Sequence, residues 1–153
     1  MSDNPIIRKL FHLAFLLKRP VTLGVRVLAL NEKGEILLVK HTYVKGWYLP
    51  GGGVEIGETS QAAACKELME ETGYQVKSEL ELLSSYYNTS ASKRDHVLLY
   101  HCKAMDKIRE FKPNREIKEI GFFSLDELPE DTTKSTLRRI KEHLKNEPIS
   151  EYW

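Results

Sequence analysis

The chain has 153 residues and a mass of 17.7 kDa, which fits one ordinary domain. Hydrophobic residues make up 41% and charged residues 29%, so the composition is typical of neither a disordered nor a membrane-spanning protein. Lys and Arg total 23 against 22 Asp and Glu, which gives no reason to expect broad attraction to nucleic acid or membrane. The two cysteines, Cys65 and Cys102, are too few for a disulfide framework and favour a reducing, cytoplasmic setting.

Residues 1–19 form an apolar segment ahead of the main part of the chain, residues 20–153. The apolar stretch is shorter than the roughly 20 residues needed to cross a bilayer, so no stable membrane insertion is expected. Its spacing predicts an amphipathic helix that Pro20 ends. We expect this helix to pack on the domain or on a second subunit. The alternative is a membrane-surface role through its four cations: Arg8, Lys9, Lys18 and Arg19.

The first part of the main domain is strand-like. Residues 21–30 and 35–41 are rich in β-branched and aliphatic side chains, and residues 31–34 between them have turn composition. This pattern predicts a hairpin. Residues 46–53 then read as a loop with three consecutive glycines.

A helix is predicted over residues 59–72, with Thr59 or Ser60 as its cap and Gly73 as its stop. Four strands are predicted beyond it, together with a short helical turn and a final amphipathic helix. Their ranges are 74–76, 80–88, 97–102 and 117–123 for the strands, 126–129 for the turn and 132–145 for the helix. The order indicates an α/β domain with a mixed sheet.

The predicted central helix carries three carboxylates at i, i+3 and i+4, namely Glu67, Glu70 and Glu71. At about 100° per residue they lie on the side opposite the apolar residues. Like charges at this spacing disfavour a helix, and a bound divalent cation would turn the repulsion into ligation. The other interpretation is a solvated acidic face, since glutamate is a good helix former.

The glycine loop and this helix together resemble the Nudix box of the Nudix hydrolases. That box has the pattern Gly, five residues, Glu, seven residues, Arg-Glu, an aliphatic, any residue, Glu-Glu, any residue, Gly and an aliphatic. The matching positions here are Gly52, Glu58, Lys66, Glu67, Leu68, Glu70, Glu71, Gly73 and Tyr74. Lysine at position 66 replaces the usual arginine, and tyrosine at position 74 replaces an aliphatic residue. Lysine keeps the charge but loses the bidentate fork, although an ion pair with Glu70 is available four residues on.

The resemblance implies an α/β/α sandwich with a mixed sheet between helices. It also implies hydrolysis of a nucleoside diphosphate linked to another moiety, with Mg²⁺ or Mn²⁺ and a water nucleophile. By position, Glu67, Glu70 and Glu71 look like metal ligands and catalytic residues, the Gly51 carbonyl looks like a further ligand, and Glu58 resembles the glutamate that supports the loop. Lys66 would orient a catalytic glutamate. For the additional base that many members carry on a later loop, Glu116 and Glu119 are the candidates, unless each is an exposed charge.

Substrate contacts are predicted from residues around the glycine loop. Trp47 and Tyr48 flank it and would stack on a base, unless they belong to the core or to loop packing. Arg26, Lys40 and Lys45 lie on or near the first predicted hairpin and would bind phosphate, unless they are surface cations.

The leading interpretation is a cytoplasmic Nudix pyrophosphohydrolase that acts on a small nucleotide, with no nucleic-acid partner and a homodimer left open. A nucleotide sugar, ADP-ribose, a nucleoside triphosphate and a dinucleoside polyphosphate all remain candidate substrates. One alternative is a catalytically weak domain that binds nucleotide or regulates. Another is a membrane or partner-binding protein organised by residues 4–18.

Overall fold

The computed structural model describes residues 5–153. Within this range three helices and eight strands follow one another. Their bounds are α1 (Pro5–Lys18), β1 (Thr22–Ala29), β2 (Ile36–His41), β3 (Trp47–Tyr48), α2 (Ser60–Thr72), β4 (Tyr74–Val76), β5 (Glu81–Tyr87), β6 (Asp95–Cys102), β7 (Met105–Lys107), β8 (Ile117–Phe123) and α3 (Lys134–Leu144). The sequence did not predict β7, nor β3, which lies in the segment read as a loop. Residues 125–127 form a turn instead of the predicted turn of helix.

The strands form a mixed set of sheets. One sheet has the order β1-β6-β5, with β1 parallel and β5 antiparallel to β6. A second, antiparallel sheet has the order β3-β2-β8, and β4 pairs with β7. The mixed α/β class is therefore as predicted, but the strands divide among three sheets.

The predicted hairpin of β1 and β2 is wrong. The turn between them does form, since the Gly34 amide donates to the Asn31 carbonyl at 2.9 Å and Gly34 adopts a φ of 76°. Beyond a single bridge between Leu30 and Ile36, however, the strands separate into different sheets. Alternation of apolar residues predicts a strand, but it does not determine which strand lies beside it.

The core has two parts, one packed on α2 and the other on α3. Alternate residues of the strands face the two helices, as the two-residue period of a strand requires. On the α2 side lie Val25, Val27, Ala29, Leu37, Ala63, Ala64, Leu68 and Tyr100. On the α3 side lie Leu28, Ile36, Leu38, Trp47, Leu49, Tyr86, Leu99 and Ile140. This arrangement is the α/β/α sandwich that the sequence predicted.

The glycine loop runs along the free edge of β1. The Val25 amide donates to the Gly52 carbonyl, the Val27 amide to the Pro50 carbonyl and the Val54 amide to the Leu23 carbonyl, all at 2.9 Å. The loop therefore extends the sheet and is held at a fixed height beside the start of α2.

Helix α2 begins and ends as the sequence predicts. The Thr59 side chain accepts a hydrogen bond from the Ala62 amide, and Gly73 closes the helix in the left-handed conformation with a φ of 79°.

Helix α1 exposes several large apolar side chains: Ile7, Phe11, Phe15 and Leu16. The side chains of Ile6, Leu10 and Leu17, on which the predicted packing also depends, lie outside the described residues. That packing remains a prediction. Among the residues that the structure describes, no helix has both the length and the apolar character to cross a membrane.

Candidate active site

Helix α2 presents its three box glutamates at different depths. Glu70 is exposed, Glu67 is half-buried, and Glu71 is only 7% exposed. The sequence had placed all three on the polar side. Glu71 instead packs inward together with Leu68 and Thr72, because the glycine loop covers that side of the helix.

Glu71 is held by the glycine loop. The Gly51 amide donates a hydrogen bond to Glu71 Oε2 at 2.8 Å. Only glycine suits this position, because Gly51 has a φ of 146° and an added Cβ would lie 2.1 Å from the Val25 carbonyl oxygen. The requirement for glycine at position 51 thus comes from the close approach of the loop to β1.

The next glycine makes room for a second carboxylate. A Cβ built on Gly52 would lie 2.6 Å from the Glu67 carboxyl group. The absence of a side chain at Gly52 therefore allows Glu67 to lie against the loop. Gly51 and Gly52 thus each receive one carboxylate from α2: Gly51 that of Glu71, and Gly52 that of Glu67.

Arg26 reaches the same loop from β1. Its Nη1 donates to the Gly51 carbonyl, the atom that the family resemblance assigns to a metal. The guanidinium group thus lies beside the carboxylates, and the Gly51 carbonyl already has a hydrogen-bond donor in this structure. Arg26 is one of the predicted substrate-binding residues that the fold brings to the glutamates.

A cavity of about 340 Å³ connects the box glutamates with the loop before β8. Its lining includes Glu67, Glu70 and Glu71 on one side and residues 114–117 on the other. Glu116 therefore lines the same cavity as the three box glutamates. Glu119 lies outside this cavity, on β8 opposite Lys40 of β2. The structure separates the two glutamates that the sequence left as alternatives.

The sequence analysis overlooked Asn114, which shapes this part of the cavity. Asn114 Oδ1 accepts from the amides of Glu116 and Ile117, both at 2.8 Å. The side chain thereby bends the chain so that Glu116 faces α2. The pair Pro113-Asn114 was the available signal, since both residues favour turns.

The electrostatics of the site disfavour so many negative charges together. Burial raises the pKa of Glu71 to about 7, and the charges of Glu67 and Glu116 add to the rise, while the Gly51 amide and Arg26 oppose it. Burial also raises the pKa of Glu67, with Glu70 and Glu116 acting in the same direction. A cation entering the cavity would relieve this repulsion.

The donor chemistry of the cavity fits Mg²⁺ or Mn²⁺, because both ions take carboxylate oxygens as ligands. In the part of the chain that the structure describes, no three acidic, histidine or cysteine side chains already stand close enough to enclose a metal ion. Glu67, Glu70 and Glu71 would have to draw together around an ion. They are the residues of this site that could hold it.

Lys66 pairs with Glu58, so the ion pair with Glu70 that the helical spacing left available is not used. Its Nζ lies 3.0 and 3.2 Å from the two Glu58 oxygens, and Glu58 Oε1 also accepts from the Glu55 amide at 2.7 Å. The reason is geometric: the loop folds back over the first turns of α2. Lys66 thus ties residues 55–58 to the helix.

Two of the predicted substrate contacts have other roles. Trp47 is 5% exposed and packs edge-to-face on Phe123 in the core, which leaves no ring face for a base. Lys40 forms an ion pair with Asp131 at 2.8 Å and lies over the Trp47 ring. Packing on Phe123 of β8 thus occupies Trp47, and the ion pair with Asp131 occupies Lys40.

Tyr48 is half-buried, and its hydroxyl donates to the Lys45 carbonyl at 3.1 Å. Its ring meets His41 edge-on, with the centroids 5.3 Å apart. Substrate binding by Tyr48 therefore stays a prediction.

The protein-family model for the NUDIX domain matches residues 20–144 of the sequence. The chain belongs to the Nudix hydrolase family. An ADP-ribose pyrophosphatase of Methanocaldococcus jannaschii is 39% identical over 106 residues, which cover 65% of this chain and 60% of that protein. This Nudix chain thus spans about three fifths of that relative.

Solved structures agree with this Nudix assignment. The MutT NUDIX hydrolase of Burkholderia pseudomallei superposes with a TM-score of 0.67 at 26% identity, covering 80% of this chain and 97% of that one. An ADP-ribose pyrophosphatase of Streptococcus suis gives 0.59 at 28% identity, covering 86% and 95%. The glycine loop, α2 and the glutamate-lined cavity are thus parts of a Nudix domain.

Proposed function

We propose that this Nudix hydrolase cleaves a phosphoanhydride bond in a nucleoside diphosphate linked to another moiety. The observation that carries the proposal is the cavity in which Glu67, Glu70 and Glu71 face Glu116. Nudix hydrolases generally use divalent metal ions, and we assign Mg²⁺ or Mn²⁺ to the three box glutamates. The metal would neutralise the pyrophosphate and lower the pKa of the attacking water.

The residues of the chain supply the other parts of the reaction. Glu116 stands on the loop opposite α2, where a carboxylate can accept the proton of the attacking water as general base. The Arg26 guanidinium lies beside the loop and can contact a phosphate oxygen through its planar fork. Gly51 and Gly52 keep the Glu71 and Glu67 carboxylates in place through the amide contact and the space described above.

The substrate class is proposed from the relatives. Two of the similar proteins are ADP-ribose pyrophosphatases, and a third is a MutT NUDIX hydrolase. ADP-ribose is therefore the first substrate to test, followed by the other classes that the sequence leaves open: a nucleotide sugar, a nucleoside triphosphate and a dinucleoside polyphosphate. The two cysteines are free and suit the proposed cytoplasmic location. A homodimer that involves α1 remains part of the proposal, and no nucleic-acid partner is proposed.

The test is an incubation with Mg²⁺ or Mn²⁺ and each of these nucleotides, with the products identified by mass spectrometry. Cleavage that needs the metal and is lost in Glu71→Gln supports the proposed reaction. Glu71→Gln removes the charge with little change in shape, so a folded variant with normal turnover would contradict the assigned role. Absence of turnover, together with thermal stabilisation by a nucleotide, would favour the alternative of a binding module.

A further inference from the structure

Another cavity, also of about 340 Å³, lies on the other side of the glycine loop and extends to residue 153. Its lining includes Arg26, Gly52 and Gly53 on the loop side, and Asn88, Asp95 and Trp153 on the far side. Gly52 connects the two cavities, since it lines this one while its missing side chain leaves room for the Glu67 carboxyl group. A ligand that fills this cavity therefore comes close to the proposed metal ligands.

The lining suits a planar, polar ring. The half-buried Trp153 side chain supplies an aromatic surface. Aromatic side chains can stack on any of the nucleobases, because every base has a π-face. Asp95 supplies acceptors at a fixed position: its Oδ1 accepts from Thr22 Oγ1 at 2.7 Å, and its Oδ2 from Asn88 Nδ2 at 2.8 Å. A carboxylate oxygen has more than one acceptor site, so Asp95 can also receive an amino group of a base. The volume lies at the lower end of the range for ligand sites, about 300–1,000 Å³.

Trp153 is held in this position by a buried ion pair on α3. Arg139 is fully buried, and its Nη2 donates to Glu142 Oε1 at 2.7 Å. The other end of the guanidinium group donates to the Tyr152 carbonyl at 3.0 Å, and its centre lies 5.1 Å from the Trp153 ring. The Trp153 amide also donates to the Tyr87 carbonyl at 3.1 Å. Residues 150–153 thus have a defined conformation against α3 and β5.

We propose that Trp153 is a specificity-determining residue that stacks on the base of the nucleotide substrate. This inference rests on the proposed function, because it assigns the base to the Trp153 cavity and the phosphates to the glutamate-lined cavity. The glycine loop and Arg26 lie between the two. Selection of the base then depends on a segment outside the Nudix box.

The experiment compares binding of AMP and of ribose 5-phosphate, a probe that lacks the base, by calorimetry without metal. In Trp153→Leu, which keeps apolar contact with Tyr86 and Arg139 but removes the aromatic face, AMP should bind at least about tenfold more weakly. Trp153→Phe should retain most of the affinity, and binding of ribose 5-phosphate should change in neither variant. Tyr152→Ala is the matched control, because it removes a neighbouring aromatic side chain that is 53% exposed and keeps the carbonyl that contacts Arg139.

The outcomes separate this inference from the proposed function. Equal weakening of both probes, or AMP binding unchanged in Trp153→Leu, would overturn the stacking role while metal-dependent hydrolysis by the wild-type protein still supported the function. Selective loss of AMP binding in Trp153→Leu, together with a wild-type protein that hydrolyses no nucleotide, would support the stacking role and overturn the hydrolytic proposal. Failure of the wild-type protein to bind AMP or any of GMP, CMP and UMP would overturn the inference itself. Melting curves are to be recorded for all variants, to check that each one folds.

Discussion

The Gly51 amide and the Glu71 carboxylate are joined by a hydrogen bond of 2.8 Å in a buried position. This contact links the glycine loop to the last turns of α2, and it satisfies a carboxylate that burial would otherwise leave without a donor. The loop is in turn fixed to β1 through the Val25 and Val27 amides. The position of Glu71 is therefore set by β1, an element that lies outside the Nudix box.

Gly52→Ala should lower activity strongly and stability little. The added Cβ would displace the Glu67 carboxyl group, the movable end of a flexible side chain, so the free energy of unfolding should change by no more than about 1 kcal/mol. Metal-dependent turnover should fall by at least about tenfold, because a misplaced carboxylate weakens the proposed site. Gly34→Ala is the control for activity, since Gly34 lies in the turn after β1, outside both cavities, and a Cβ there would meet nothing within 4 Å. Equal activities of the two variants would contradict the assigned role of Glu67.

Glu116→Gln and Glu119→Gln should have opposite outcomes. Glu116 lines the glutamate-lined cavity and is the proposed base, so its amide variant should lose about 10²-fold or more in kcat. Glu119 lies on β8 beside Lys40, and its variant should keep nearly full activity. Steady-state kinetics at saturating Mg²⁺ makes the comparison. A larger loss of kcat in Glu119→Gln than in Glu116→Gln would show that Glu116 has been wrongly assigned as the base.

Arg139→Met should destabilise the domain by about 3–5 kcal/mol. The substitution leaves Glu142, itself 5% exposed, as a buried carboxylate without its cationic partner. Urea unfolding measures the change. The neighbouring Arg138 is exposed, so Arg138→Met serves as the control and should change stability by less than about 1 kcal/mol. Similar effects of the two substitutions would argue against a structural role for the buried pair.

The buried histidines should contribute stability that is lost as the pH falls through the normal range of histidine, whereas the raised pKa of Glu71 acts in the opposite direction. Burial lowers the pKa of His143 below its usual value of 6.5, Arg139 adds to the decrease, and Glu142 opposes it. The unfolded chain therefore binds more protons than the folded one below about pH 6.5, and the stability present above that pH is lost as the pH falls. Burial lowers the pKa of His41 and His101 in the same way.

His143→Gln tests this pH dependence directly. Melting temperatures of the wild-type protein and the variant should converge between about pH 7.5 and about pH 5.5, because the variant has one buried histidine fewer to protonate. The variant should keep part of the slope, since His41 and His101 remain. Parallel curves at a constant offset would mean that His143 does not contribute to the pH dependence.

Lys66→Arg restores the arginine that the Nudix box usually has at this position, and so tests the effect of the lysine. Lys66 holds Glu58, which in turn accepts from the Glu55 amide. An arginine fork could grip both Glu58 oxygens at once, so the variant should order the loop more firmly and raise turnover several-fold. Lys66→Met should have the opposite effect. If neither substitution changes kcat or the metal dependence, the loop contact has no catalytic consequence.

The sequence alone determined those features that depend on neighbours along the chain. Helix α2 could be predicted with its cap and stop, because Thr59 and Gly73 act on amides and carbonyls within one turn. The Nudix box is likewise a local pattern of 23 positions, since the glycine loop and the three glutamates are close together in the chain. The order of the elements indicated an α/β domain with a mixed sheet, and the resemblance to the Nudix family implied the α/β/α sandwich.

Only the tertiary structure decided which side chains meet. Apolar alternation could not show that β1 pairs with β6 and not with β2, and helical spacing could not show that Glu71 is covered by the glycine loop. Lys66 pairs with Glu58 because the loop before α2 folds back over that helix. Glu116 lines the glutamate-lined cavity and Glu119 does not, which depends on where the loop before β8 lies. The place of Trp153 beside Gly52 joins residues about a hundred positions apart. Such contacts depend on strand order and register, and no short stretch of sequence encodes either of them.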